Sequence, residues 1–445
     1  MKLTYLQSSA VIIEHEGVKI FCDPWLVDGE LYGSWSHYPP SNFDPTKFND
    51  IDYIYLSHIH QDHFSQKTLS KMNHDIPVII FNFKSKALKN GIENLGYKVI
   101  ELDHNNRTKL KNNLHINILS ADNCNPELCH RYFGCTPLEV KFGLTSIDTM
   151  CVIDNGEETI VNTNDCPYDL SFAASHQIKE KYDKIDLLLV GYTSASAFPQ
   201  CFVMNEDDKN LAIQKLKNNF LQKTEQYVNL FKPKHYMPFA GRYTLTGNLA
   251  HLNKFKGVST LEEAYNFLST TNNIDQEKHK CFILNSESSF DITTEKISQP
   301  YVPINKNAQD EYISHILSKR KLDYEFDDDP TEEELLSYIP KAYENFESKR
   351  KEIGFESDTT ILIEISSKKI LEMSCNGKGY KILEGKKDYK KFVKLTLDKR
   401  LLRWLLKGPR YAYWGTAENG SHIIFERKPE IYERGLYYCM SFFYA

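Results

Sequence analysis

Nowhere in the sequence do about 18 apolar residues follow one another, so a membrane-spanning helix is not expected. Runs of lysine and arginine of the kind that grip phosphate backbones are missing too. With a formal charge of -6, nucleic acid is not an expected partner. Internal repeats and low-complexity segments are absent as well. The opening "MKLTYLQSSAVIIEHEG" meets charge too early for a secretory signal. Ten cysteines in such a chain read as reduced thiols. The expectation is a soluble, cytoplasmic protein with no membrane partner.

What is present is a globular mixture, 41% hydrophobic and 26% charged over 445 residues, enough for one large core or two ordinary ones. Short β-type runs open the chain: "KLTYL", "SAVIIEH", "VKIFCD", "DYIYLS" and "PVIIF". The Gly-containing connection in "EHEGVKIF" predicts a hairpin. The spacing in "KSKALKNGIENLGY" predicts a helix that stops at Gly96. Strands resume with "KVIEL", "LHINILS", "MCVID" and "ETIVNTND". A helix over "SFAASHQIKEKY" leads into "IDLLLVGY", an apolar run typical of a strand buried on both faces. A long helix from Glu206 to Leu230 precedes "KPKHYMPF". Beyond residue 255 the chain turns charged and helical, and Thr331 with Glu334 forms a capping-box pattern. The tail returns to strands ("TTILIEIS", "KKILEMSC", "GYKILEG"), a helix over "DKRLLRWLLKG", and finally "SHIIFERKPEIY" and "LYYCMSFFYA". The expected division is 1–255 for the domain that carries the chemistry, 256–355 for a mostly helical, charged connecting region, and 356–445 for a smaller α+β module.

The chemistry is concentrated in "YLSHIHQDHFS", residues 55–65, which sets His58, His60, Asp62 and His63 just after an apolar strand. His58 and His60, two apart, point the same way on an extended segment. Asp62 and His63 follow after a turn and can face a second position nearby. Neutral imidazoles with a carboxylate suit divalent zinc, iron or manganese, with zinc the first choice. Asp165, in "NTNDC" at the end of an apolar strand, is costly there unless paired or ligating. The plainer reading is a turn or cap acid.

The run His58-Ile59-His60-Gln61-Asp62-His63 at a strand end is similar to the signature of the metallo-β-lactamase superfamily. That resemblance implies an α/β (α+β) fold, an αββα sandwich with one or two divalent metal ions at the sheet edges. It also implies a metal-activated water attacking an ester, amide, lactone or phosphodiester. "FCDPWLVDG", "IVNTNDC", "DLLLVGYTSASAFPQCF", "PFAGRY" and "GSHIIFERKPEIY" resemble, patchily over nearly the whole length, the CMP-N-acetylneuraminate hydroxylase family and its bacterial relatives. The resemblance implies His58, His60, Asp62, His63 and Asp165 as ligands, with Asp165 bridging or adjoining the metals. It implies Asp23 as a brace of the histidine loop, and Asp62 as ligand or catalytic base. The substrate it implies is small, polar and anionic, such as a nucleotide sugar or sugar derivative.

Two parts of that pattern are absent. A full superfamily site has a histidine ahead of the "IVNTNDC" strand, where this chain has "KFGLTS" before "DTMCVID". Another histidine should follow "HYMPF", where this chain has "AGRYTLTG". His130, His235 and His251 are the further candidate ligands, with His115 weighed beside them. The Rieske module of the hydroxylase needs paired Cys-x-His and Cys-x-x-His ligands. Neither occurs, so oxygenation would require a separate electron-donor protein.

Smaller signals remain open at this level. Cys124, Cys129, His130 and Cys135 read first as buried thiols and second as a small metal site. "LYGSWSHYPPSNF" can form a pocket wall, with Trp35, His37 and Tyr38 on substrate, or simply pack on the sandwich. Trp25, His37 and Arg242 are supporting or substrate-binding candidates. Lys232 and Lys234 read as solvated charges. Arg410, Tyr411, Tyr413, Trp414 and His422 read as core of the last module, with ring stacking on a ligand as the alternative. Three functions follow in order: a metal-dependent hydrolase, an iron-dependent oxygenase component served by a redox partner, and a non-catalytic binding protein.

Overall fold

The computed structural model describes residues 1–121, 148–193, 195–385 and 387–445. In chain order the first strands are β1 (Lys2–Gln7), β2 (Ala10–His15), β3 (Val18–Cys22), β4 (Trp35–Ser36), β5 (Tyr53–Tyr55), β6 (Val78–Phe81), β7 (Val99–Leu102), β8 (Thr108–Lys109) and β9 (His115–Ser120). They are followed by β10 (Thr149–Asp154), β11 (Thr159–Asn162), β12 (Leu187–Gly191), β13 (His235–Phe239), β14 (Thr244–Leu245), β15 (Lys280–Cys281), β16 (Ser289–Asp291) and β17 (Lys296–Ile297). These strands form an eight-stranded sheet, β17-β16-β1-β2-β3-β5-β6-β7, a seven-stranded sheet, β15-β13-β12-β11-β10-β9-β8, and a two-stranded ribbon, β14-β4. The helices among them are α1 (Gln66–Leu69), α2 (Ala87–Asn94), α3 (Phe172–Lys181), α4 (Glu206–Phe231) and α5 (Leu261–Thr270).

The strand sequences explain why two sheets and two helical layers are needed. Successive side chains of a strand point to opposite faces. In β2, Val11 and Ile13 enter the core between the sheets, while Ala10 and Ile12 enter the core beneath α1 and α2. In β12, Leu187 and Leu189 face that same inter-sheet core, while Leu188 and Val190 pack beneath α3 and α4. Strands buried on both faces read as unbroken apolar runs, as these do. Each fully buried leucine or isoleucine contributes roughly 2 kcal/mol. The result is an αββα sandwich.

The sandwich does not stop at residue 255. β15 pairs with β13, and β16 pairs with β1, so residues 280–297 add strands to both sheets. The 256–355 stretch is therefore helical in α5, α6 (Lys306–His315) and α7 (Glu332–Glu352) and in two short 3-10 turns, Leu317–Lys319 and Asp323–Phe326, with strands between α5 and α6. Thr331 caps α7 by accepting from Glu334 N at 3.1 Å.

Five strands build the last sheet: β18 (Ser357–Glu364), β19 (Lys369–Cys375), β20 (Tyr380–Glu384), β21 (Phe392–Thr396) and β22 (Ile424–Lys428), in the order β20-β19-β18-β21-β22. It packs with α7, α8 (Lys399–Lys407), α9 (Trp414–Asn419) and α10 (Arg434–Met440). "LYYCM" thus belongs to a helix. The core of this α+β module continues without a break into Trp25, Leu31, Trp35, Tyr243 and Leu245 of the sandwich. Trp414 and His422 are buried in this region, whereas Tyr411 and Tyr413 are exposed.

One contact across that junction is sensitive to pH. His422 Nε2 donates to Leu31 O at 2.8 Å, and Tyr324 OH donates to His422 Nδ1 at 3.1 Å. Burial is the main cause that pushes this imidazole down to about 4. Below pH 6.5 the unfolded chain takes up a proton that the folded chain refuses until about pH 4. Stability should therefore fall as pH drops through that window, by about 3 kcal/mol when complete. Denaturant titrations at pH 7 and 4.5 check this: His422→Gln should show a clearly shallower dependence than the wild type.

Candidate metal centre

The cluster lies where strand direction places it. β3, β5 and β6 run parallel in one sheet, and β11, β12 and β13 run parallel in the other. Open α/β sheets place ligands beyond the carboxyl ends of such strands. Asp23 follows β3, the histidine loop follows β5, Asp165 follows β11, and Arg242 follows β13. β10 is antiparallel to β11, so its start lies at that same edge, and the residue there is Asp148.

Two overlapping donor groups result. His58, His60 and Asp148 form one, and His58, His63 and Asp165 the other, with their ligand atoms within 4.8 Å of one another in each. His58 Nε2 is 2.8 Å from His60 Nδ1 and 3.8 Å from Asp148 Oδ1. His63 Nε2 is 3.3 Å from Asp165 Oδ2 and 3.5 Å from Asp62 Oδ2. Two imidazoles and a carboxylate in each group match what divalent zinc, iron or manganese prefer.

Asp23 sets the orientation of both buried histidines. Its carboxylate accepts from Ser57 N at 2.8 Å, Ser57 Oγ at 2.7 Å and His63 Nδ1 at 2.7 Å. Ser57 has one hydroxyl hydrogen, and giving it to Asp23 leaves Oγ to accept from His58 Nδ1 at 2.9 Å. Both rings therefore carry hydrogen on Nδ1 and turn Nε2 toward the cluster, the arrangement by which a carboxylate orients a ligating histidine. Asp23 adopts φ +44, a left-handed conformation that costs an L-residue about 1 kcal/mol. Its three hydrogen bonds offset that strain.

A buried polar network ties the two sheets together under the site. Thr149 Oγ1 donates to Ser57 O at 2.7 Å, and Tyr55 OH lies 2.9 Å from Thr149 Oγ1. Asn164 Nδ2 donates to Thr149 O at 3.0 Å, which fixes the turn carrying Asp165. That turn allows no side chain at Gly191, where a Cβ would stand 2.8 Å from Asn164 O.

The electrostatics separate the histidines. Burial, and then repulsion from His63 and His60, holds His58 well below the ordinary imidazole range, so it is a neutral donor. Burial opposes protonation of His63 as well, but the charges of Asp165, Asp62 and Asp23 outweigh it and hold this ring well above that range. The two carboxylates are pushed apart: burial raises Asp62, whereas His63 lowers Asp165 against the effect of burial.

Other candidates lie elsewhere. His235 begins β13, at the opposite edge, with Nε2 3.4 Å from Glu295 and its ring against Phe290. His115 also begins its strand at that edge, opposite Asp154. His251 is exposed and bonded to Asn248 O at 2.7 Å. Cys124, Cys129, His130 and Cys135 lie outside the described residues. Trp25 is fully buried, with its ring centroid 3.9 Å from that of His37. Trp35 is buried and stacked on Tyr243 at 3.8 Å, so it packs, while His37 and Tyr38 line a cavity together with Arg242. Asp148 is the residue that a search for histidine ahead of "TMCVID" passes over. Its available signal is an acid immediately before a fully buried strand.

Two facing sheets with helices outside them, and a histidine–aspartate cluster at the carboxyl ends of the strands, define the metallo-β-lactamase fold. Residues 2–131 match the family model of the beta-lactamase superfamily domain. No curated protein matches the chain. Among solved structures, the chain is similar to the isothiocyanate hydrolase from Delia radicum gut bacteria, at 15% identity over 65% of this chain and 99% of that one, with a TM-score of 0.45. It is also similar to CmlA, a diiron beta-hydroxylase from Streptomyces venezuelae, at 14% identity over 65% and 53%, with a TM-score of 0.42. A third is a possible metal-dependent hydrolase from Veillonella parvula, at 11% over 65% and 98%, with a TM-score of 0.43. Among the described residues, no helix is long and apolar enough to cross a membrane.

Proposed function

We propose that the chain is a metal-dependent hydrolase. The observation that carries this reading is the pair of His-His-Asp groups sharing His58, with Asp62 beside them. His58, His60 and Asp148 would hold one ion, and His63, Asp165 and Asp62 a second. A divalent ion there supplies a Lewis acid and lowers the pKa of water toward neutrality. The chain's own residues do the rest. Asp23 and Ser57 keep the Nε2 atoms of His58 and His63 directed into the cluster. Asp62, whose proton affinity is raised by burial, is placed to take a proton from the attacking water.

An iron-dependent oxygenase is the second reading. Two histidines and one carboxylate also make the set used by non-haem Fe(II) oxygenases. The resemblance to the sialic-acid hydroxylase family points the same way, and a separate protein would have to supply electrons. The two readings part on one experiment. Zinc- or manganese-loaded protein is assayed against nitrophenyl esters, lactones and bis(nitrophenyl) phosphate, and iron-loaded protein is followed for oxygen uptake with a reductant. The hydrolase reading expects cleavage that a chelator abolishes and metal restores, without oxygen uptake. Oxygen uptake with iron, and no cleavage under any metal, would move the assignment to the oxygenase.

A further inference from the structure

Beside the metal cluster lies a cavity of about 260 Å³, bounded among others by Tyr5, His37, Pro39, Arg242, Tyr301 and Ile304. Its walls are mainly aromatic and aliphatic, and Arg242 supplies a cation. Two consecutive left-handed residues, Ala240 at φ +64 and Gly241 at φ +76, deliver this arginine from the end of β13. A Cβ on Gly241 would stand 2.1 Å from Thr193 Cγ2, so the turn tolerates only glycine there.

Arg242 is under-used by the protein. One of its five N–H groups donates to Tyr38 O at 3.0 Å, and the Tyr5 hydroxyl is a second hydrogen-bonding neighbour. Among the described residues no carboxylate lies within ion-pair distance of it. The nearest acid it senses, Glu262, already accepts from Tyr301 OH at 2.7 Å and Ile304 N at 3.0 Å. Arg320 makes the contrast, since it pairs with Asp28 at 2.7 Å. Burial disfavours the charge on Arg242, yet the neighbouring Tyr5, Tyr192 and Tyr301 hold its pKa up. Two nearby buried polar atoms, Tyr192 OH and His37 Nε2, have no hydrogen-bond partner. A half-buried guanidinium that keeps free donors beside unpaired polar atoms is well placed to receive an anion.

The cavity also adjoins the chemistry. Gln7 and Ser8 line it, and the next residue, Ser9, donates to Asp62 O at 3.0 Å. Arg242 lines it, and the next residue, Tyr243, senses the Asp62 charge. The Gln7–Ser9 segment thus borders the cavity and holds the backbone of the histidine loop, and the Arg242–Tyr243 segment lies within electrostatic reach of Asp62.

We propose that this cavity is a substrate subsite in which Arg242 binds an organic carboxylate and presents the attached group to the metal cluster. A carboxylate fits better than a phosphate monoester. Arg242 is the one cation lining the cavity, Glu262 lies close by, and the walls are mainly apolar with Gln7, Ser8, Asn285 and Asn305 among them, so a single negative charge on a hydrocarbon body is matched and a dianion is not. Guanidinium–carboxylate pairing in a desolvated site is among the stronger polar contacts. The proposal rests on the hydrolase reading for what happens at the metal, but not for the binding itself.

The test is therefore run on chelator-treated protein, so that metal–carboxylate contacts cannot contribute. Calorimetry or ligand-observed NMR is used with 3-phenylpropionate and cyclohexanecarboxylate, their primary amides, and inorganic phosphate. The acids should bind at least about tenfold more tightly than the amides, one charge-assisted contact being enough for that difference. Arg242→Gln should abolish the preference, whereas His60→Ala should leave it intact. Equal binding of acid and amide by the wild type, no binding of either, or tighter binding of phosphate would overturn the subsite. The wild-type comparison decides even if Arg242→Gln does not fold. Acid selectivity in a protein that takes up no metal would leave the subsite standing and remove the hydrolase reading alone.

Discussion

On the hydrolase reading, a His58→Ala/His60→Ala double variant should lose activity by at least about a thousandfold, because several kcal/mol of transition-state charge stabilisation leaves with the ion. His58 belongs to both donor groups, so its removal empties each of a nitrogen ligand, and His60 removes a second from the first group. The fold should survive. His60 faces solvent, and the alanines leave the apolar cores of both sheets untouched. The measurement pairs initial rates on the best substrate with elemental analysis of the same preparations, and thermal unfolding serves as the control for folding. Wild-type rates from the double variant would show that the reaction does not use this cluster.

The second large effect is expected at a residue that touches no metal in the proposed arrangement. Asp23→Ala leaves Ser57 N, Ser57 Oγ and His63 Nδ1 without their acceptor in a fully buried position. Stranding three donors at roughly 1 kcal/mol each costs about 3 kcal/mol of stability. Loss of the brace should also weaken metal binding about 10–100-fold, the usual range for a partner that orients a ligand. Asp23→Asn separates the two consequences. Its amide oxygen can still accept from Ser57 N, but its NH₂ cannot accept from His63, so metal affinity should fall while much of the stability remains. Competition titrations with a metallochromic chelator report affinity, and denaturant titrations report stability. An Asp23→Asn protein with unchanged affinity would show that the histidines need no such orientation.

The legibility of the chain follows physical range. Strands buried on both faces announce themselves as apolar runs, so "SAVIIEH", "PVIIF" and "IDLLLVGY" read correctly from local sequence. The period of two in "HIH" at a strand end puts two imidazoles on one side, and Asp165 stands out as an acid closing an apolar strand. Asp148 is harder to see, because nothing local distinguishes an acid before a strand from a turn residue. Only the antiparallel pairing of β10 with β11 carries it to the carboxyl edge. His235 illustrates the converse: it lies on a strand of the right sheet, but at the end from which that strand departs. The extension of both sheets to Ile297 depends on short strands of mixed composition, whose pairing with β1 and β13 is decided by distant partners. Arg242 was legible as a charge beyond a buried strand, whereas its unpaired state needed the positions of Glu262, Tyr192 and His37.

The measurement that bears most directly on the central claim is the metal content of wild-type protein purified without added metal, followed by titration with zinc, manganese and iron(II). The account predicts one or two divalent ions per chain after titration, and loss of that binding in the His58→Ala/His60→Ala variant. A folded wild-type protein that carries no metal and takes up none from solution would contradict it.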